Sequence, residues 1–191
     1  MRRLTLLLPL VLAACGGDHT RAGAADPRMR YGLGRPADAQ VVASLDTDID
    51  ASGAALPAGQ GSAAEGAVLY AAQCAMCHAA DGRGMPPAFP RLLGRDPKAE
   101  GFVFADDPKL PHTIGNYWPY ATTLFDYIKR AMPLTAPGSL SDAQVYALTA
   151  YLLAEDGVIE KGSTLNAERL KAVKMPYVDR FVWSDEVGAS R

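Results

Sequence analysis

Two cysteines three residues apart, followed at once by a histidine, constrain this chain more than any other feature: Cys74-Ala75-Met76-Cys77-His78. That spacing puts both thiols on one side of a helical turn, so both can add across the two vinyl groups of one porphyrin. His78 is then held beneath the ring metal and can offer an imidazole nitrogen as proximal ligand. Cys-x-x-Cys-His is the attachment pattern of a covalent c-type haem, so the chain is expected to fold around one large, flat, apolar group. Other uses of these residues fit less well. A structural zinc site needs four ligands, and His78 abuts Cys77 instead of standing at finger spacing. A thioredoxin-like pair needs a βαβ setting, whereas the flanks here read helical. A plain disulfide leaves His78 without a role.

The start of the chain says where this chemistry takes place. Residues 1–14 have a basic front, Arg2 and Arg3, and then an apolar run from Leu4 to Ala14. Such a run is a secretory signal too short to span a bilayer. It ends Leu12-Ala13-Ala14-Cys15, which resembles the bacterial lipobox and marks Cys15 for lipidation. The alternative, ordinary signal cleavage, leaves a free thiol in an oxidising compartment. With Cys15 lipidated, all three cysteines have a task. Export fits the haem, since c-type haem is attached outside the cytoplasm, and the expected location is the periplasm, anchored to a membrane by lipid. No other apolar stretch approaches 18 residues. Loss of the leader, with two of the 19 Lys and Arg residues, moves the formal charge from −2 to −4. That mild acidity argues against nucleic acid as a partner.

Composition and punctuation divide the rest. Residues 15–29 read as a tether and 30–64 as an irregular arm rich in Gly, Ala, Pro and Asp. Within the arm, Asp46-Thr47-Asp48-Ile49-Asp50 suggests a calcium loop. Ala51 and Pro57 occupy the places where an EF-hand needs Gly and Glu, so a solvated acidic loop is the better reading. Residues 65–155 read as the haem domain. A helix is predicted over 63–73, leading into the motif, and a Gly/Pro loop follows it. A second helix is predicted over 121–131, with Leu124, Tyr127, Ile128 and Ala131 on one face; Pro133 stops it. Ser141 and Gln144 form a capping box for a helix from Asp142 to about Glu155. Val145, Leu148 and Leu152 are its buried stripe, and Gly157 stands at its C-cap. No stretch alternates as a strand would. Residues 156–191 read as a C-terminal partner-binding tail, with a short helix over 166–173 and aromatic residues Tyr177, Phe181 and Trp183.

An electron-transfer haem needs a second axial ligand. Met132 is the leading candidate: it follows a helix, precedes Pro133 and lies 54 residues beyond His78. The proline ends the helix there, so the thioether can turn toward the iron. Methionine opposite histidine raises the potential. Met175, also before a proline, is the runner-up. Met85 is within chain reach, but its loop is needed on the proximal side. His112 would give a bis-histidine haem of lower potential. A metal-bound histidine usually donates its other N–H to a carbonyl, and Pro90 or a close neighbour could accept. Trp118 and Tyr120 could bond haem propionates or fill the core.

Residues 65–155 resemble class I cytochrome c domains. Gly66-x-x-x-Tyr70-x-x-x-Cys74-x-x-Cys77-His78, Gly82-x-Gly84, Pro90-x-Leu92, Ala131-Met132-Pro133 and Ala150-Tyr151-Leu152-Leu153 stand in that family's order. The resemblance implies an all-α fold whose first and last helices cross near Gly66, Tyr70 and Tyr151. A narrower likeness covers about residues 30–185. Thr113-Ile114-Gly115-Asn116-Tyr117-Trp118-Pro119-Tyr120, the arm around Leu33-Gly34-Arg35-Pro36, and Val173-Lys174-Met175-Pro176 are similar to the cytochrome subunit of sulfane dehydrogenase in the Sox thiosulfate-oxidising system. Related cytochromes serve sulfite dehydrogenases. The likeness implies a molybdenum-containing catalytic subunit as electron donor and a downstream cytochrome or oxidase as acceptor. The chain departs from some members in having one haem motif, with no second cytochrome domain, and in its lipobox.

The expected function is therefore one-electron transfer by a single covalent haem c, with Cys74 and Cys77 as tethers and His78 and Met132 as ligands. No catalytic base or nucleophile stands out, so the chain reads as an electron-transfer subunit and not as an enzyme alone. A peroxidase-like haem enzyme and a haem-based sensor are the alternatives; each would keep the sixth iron position open.

Overall fold

The computed structural model describes residues 36–94 and 104–182. The leader, Cys15, the tether, His19, the start of the arm and Trp183 lie outside the described residues. The chain divides into a first unit ending at Val42 and a second holding Ala43–Arg191. In the first, the Asp38 side chain accepts the Gln40 N–H at 2.8 Å and starts helix α1 (Ala39–Leu45), which buries none of its residues.

The second unit is built on helices whose starts are written in the sequence. Ser62 and Glu65 cap β1–α2, where strand β1 (Gln60–Ser62) runs directly into helix α2 (Ala63–Gln73). Helix α3 (Ala75–His78) is one turn carrying the motif, and α4 (Ile114–Tyr117) is a turn capped by Thr113 and Asn116. Helix α5 (Ala121–Ala131) ends at Met132, and α6 (Asp142–Glu155) starts from the Ser141–Gln144 box. Gly157, at φ +62°, closes α6, with the Val158 N–H donating to Leu153 O at 2.8 Å. Only glycine takes that turn without a side-chain penalty.

Helix α6 is the centre of the fold. Val145, Leu148 and Leu152 are buried as expected, and so are Tyr146, Ala147, Thr149, Ala150, Leu153 and Ala154. Helix α2 crosses it at Gly66, where a Cβ would stand 2.0 Å from Ala147 O; the Tyr70 and Tyr151 rings meet at 5.1 Å beside the crossing. Helix α5 packs through Leu124, Phe125 and Ile128, with Phe125 against Tyr146 at 4.5 Å. Tyr127, expected on the inner face, is instead 46% exposed, because Phe125 and Ala121 occupy the side turned to α6.

Three features lie beyond the sequence reading. Strand β1 pairs antiparallel with β2 (Thr164–Asn166), Gly61 opposite Leu165. Three-residue strands carry too little alternation to be read, and their partners are about 100 residues apart. The part of the arm that belongs to the second unit is laid on the helices: Ile49 is buried, its N–H donates to Asp126 Oδ1 at 3.0 Å, and Tyr146 donates to Pro57 O at 2.8 Å. The segment read as a partner-binding tail belongs to the core as well. Helix α7 (Ala167–Lys171) starts from an Asn166 cap, and Leu165, Leu170 and Met175 are buried in the main cluster. A single 3₁₀ turn, Val178–Arg180, follows. Among the described residues no helix is long and apolar enough to cross a membrane.

Candidate functional site

Cys74 ends α2 and begins α3. Its N–H still donates to Tyr70 O at 2.9 Å, while its carbonyl accepts from Cys77 and His78 at 3.1 and 2.9 Å. This tight turn brings Cys74, Cys77 and His78 onto one partly buried surface, with both thiols free. Burial, then the neighbouring Cys77, pushes the Cys74 thiol up to about 11. The thiol is therefore held protonated near neutral pH.

His78 is aimed by the loop that follows it. With Nδ1 protonated, the ring donates to Pro90 O at 3.0 Å and leaves the Nε2 lone pair outward. Pro90 is itself fixed. Gly84 (φ +71°) passes so close that a Cβ there would stand 2.6 Å from the Pro90 carbonyl. Leu92 and Leu93 donate to Gly82 O at 2.8 and 3.1 Å, and Ile114 donates to Leu92 O at 2.9 Å. Beyond them, Gly94 donates to Asp156 Oδ1 at 2.9 Å, tying the loop to the end of α6. Asp156 and its long-range bond carry no local sequence signal.

The backbone beside His78 is strained. Ala79 has φ +61° and ψ 161°, a region that costs a residue other than glycine about 1–3 kcal/mol. The hydroxyl of Tyr70 donates to Ala79 O at 2.9 Å. Burial raises the Tyr70 pKa well above its usual value, so the group stays a donor. In the sequence Tyr70 reads only as a helix-crossing aromatic; its hydroxyl partner depends on the turn after His78.

The candidate sixth ligands stand in different settings. Met132 leaves α5 with an extended backbone (φ −120°, ψ 149°), its N–H held by Ile128 O at 3.2 Å, and the Met132–Pro133 peptide is cis. Its side chain is partly buried at the margin of the core, where Cys74, Leu92, Leu93 and Trp118 also pack. Met175, the runner-up, is 1% exposed and packs within the core. Met85 is largely exposed. His112 is exposed and stacks on Tyr117 at 3.8 Å. The Trp118 N–H donates to Thr123 Oγ1 at 3.0 Å, which favours the core-filling role for Trp118. Tyr120 is partly buried and its carbonyl starts α5.

Among the described residues no group of three His, Cys, Asp or Glu side chains converges as a metal cage. The donors on offer are an oriented imidazole, two thiols and the Met132 thioether. That set suits a macrocyclic metal complex, which brings its own equatorial ligands, and the residues present fit a covalent haem.

The chain is similar to known proteins in sequence and in fold. The family model described as cytochrome c oxidase, cbb3-type, subunit III matches residues 61–152. A crystal structure of the sulfane dehydrogenase SoxCD from Paracoccus pantotrophus superimposes with a TM-score of 0.68 at 35% identity, covering 84% of this chain and 75% of that one. A thiosulfate dehydrogenase of Stutzerimonas stutzeri (strain A1501) is 36% identical over 100 residues, which is 50% of this chain and 28% of that protein. The chain thus spans little more than a quarter of the length of that curated relative.

Proposed function

Because this chain belongs to the c-type cytochromes related to sulfur oxidation, we propose that it is the monohaem electron carrier of a sulfane or sulfite dehydrogenase complex. Bound haem c supplies a one-electron iron couple. The chain's residues hold and tune it. Cys74 and Cys77 would tether the ring through thioethers to its vinyl groups. His78 would offer Nε2 as an iron ligand, its direction set by the Pro90 carbonyl at 3.0 Å. That hydrogen bond, on a histidine inside a Cys-x-x-Cys-His turn, is the observation that carries the reading. Met132, partly buried at the core's margin with Leu92 and Leu93, would offer its thioether as the second protein ligand.

Electrons come from a molybdenum-containing catalytic subunit and go on to another cytochrome or an oxidase. The likeness to a sulfane dehydrogenase supports the first step. The exposed apolar side chains of Met76 in the motif, and of Leu134 just after Met132, suit docking against such partners. The work takes place in the periplasm, with Cys15 as the lipid anchor. The test is stopped-flow spectroscopy of the purified holoprotein with sulfite, thiosulfate or a sulfane donor. Reduction should need the catalytic subunit. Equally fast reduction of the cytochrome alone would remove the partner from this reading. A high-spin haem that binds carbon monoxide readily when reduced would favour a haem enzyme or sensor.

A further inference from the structure

We propose that Tyr70 is a positioning residue for the iron-binding imidazole: its buried hydroxyl clamps Ala79 in a conformation natural only to glycine, and so sets the direction of His78. The proposal rests on the haem reading above and goes beyond it. Tyr70 is 2% exposed, and its ring packs on Tyr151 at 5.1 Å. A phenylalanine would serve that packing without a polar atom to bury, and a buried hydroxyl needs a partner. Its partner is the first carbonyl after His78. The hydroxyl lies 2.9 Å from Ala79 O and 3.4 Å from His78 O. Ala79 is the one described non-glycine residue with positive φ. Two glycine N–H groups complete the clamp: Gly82 donates to Ala79 O at 3.2 Å and Gly84 to His78 O at 2.9 Å.

Strain at a single residue persists only where its surroundings hold it. Without the Tyr70 hydroxyl, Ala79 relaxes toward negative φ and the 78–79 peptide turns. The imidazole then tilts against Pro90, and the Nδ1–H to Pro90 bond weakens. That bond raises the basicity of a ligating histidine. A less basic ligand stabilises the oxidised iron less, so the iron becomes easier to reduce.

The experiment is a double-mutant cycle in the haem-loaded protein, Y70F and A79G, read by reduction potential. Y70F should shift the one-electron reduction equilibrium three- to tenfold toward the reduced form, tenfold being about 59 mV. A79G, in which the conformer carries no strain, should stay near wild type and resist unfolding better. Y70F/A79G should return most of the way to the wild-type potential, since glycine holds the turn without the clamp. Core packing alone would destabilise Y70F, leave its potential in place and gain nothing from glycine. An unchanged potential in Y70F, or simple additivity in the double variant, overturns the proposal. If Y70F yields no holoprotein, its recovery in Y70F/A79G supports the clamp, and failure to recover overturns it. A wild-type protein with no thioether-linked haem would instead overturn the haem reading itself.

Discussion

At the scale of the residue, Met132 is the proposed second ligand and Gly84 supports the carbonyl that aims His78. Met132 leaves the end of α5 on an extended backbone, so its thioether is not committed to the helix surface. M132A should turn the haem high-spin, lower its potential and abolish the far-red thioether–iron band; a retained band would show another ligand. Gly84 acts through Pro90. An alanine there must keep φ near +71° and would press its Cβ on the Pro90 carbonyl. The left-handed backbone alone costs about 1–2 kcal/mol. G84A should therefore lower the unfolding midpoint and also shift the potential, by moving the acceptor of the His78 N–H. Asp126 works in the middle of α5. It pairs with Arg130 and accepts the Ile49 N–H, so it holds the arm to the helix. D126A leaves that buried N–H without its acceptor and should cost about 1–3 kcal/mol, measured by denaturant unfolding of the holoprotein.

At the scale of the element, α6 serves as the common wall. Its crossing with α2 depends on a backbone contact at Gly66 that no side chain can enter. Strand β2 packs on the same helix, and α7 packs on β2 and on α5. Leu165, Leu170 and Met175 are each buried, and a fully buried side chain of this size contributes about 1.5–3 kcal/mol. Total stabilities of domains are about 5–15 kcal/mol. Truncation after Gly157 should therefore prevent holoprotein from accumulating. That outcome reverses the expectation of a tail separable from the haem domain. L170A, a smaller lesion, should cost about 2–5 kcal/mol by denaturant unfolding, with haem still attached.

At the scale of the whole molecule, function depends on surfaces that stay uncovered. Met76 is 75% and Leu134 67% exposed, far more than core side chains of the same kind. Replacing either with lysine should leave the haem spectrum unchanged and slow reduction by the catalytic subunit, roughly tenfold for each 1.4 kcal/mol of lost docking energy, read by stopped-flow. The proposed attachment to a membrane is a separate matter and would rest on Cys15. C15S should release soluble holoprotein or stall export without altering the spectrum, as checked by cell fractionation.

The sequence by itself determined whatever depends on neighbours along the chain. The Cys74–His78 spacing names the cofactor, because thioether attachment needs two thiols one turn apart. The capping residues Ser62 and Ser141 set helix starts, and Pro133 with Gly157 set helix ends, because those effects act within a few bonds. Even the Pro90 carbonyl was within reach of reasoning, since a ligating imidazole needs an acceptor close by. Only the tertiary structure decided what depends on residues distant in sequence. It buried Met175 in the core and left Met132 at the core's margin. It paired Gly61 with Leu165 across the fold, and placed Phe125 inward where periodicity favoured Tyr127. It joined the Tyr70 hydroxyl to Ala79. These choices are set by volume, by close approach of backbones, and by the need of each buried polar group for a partner, none of which has a signature shorter than the fold.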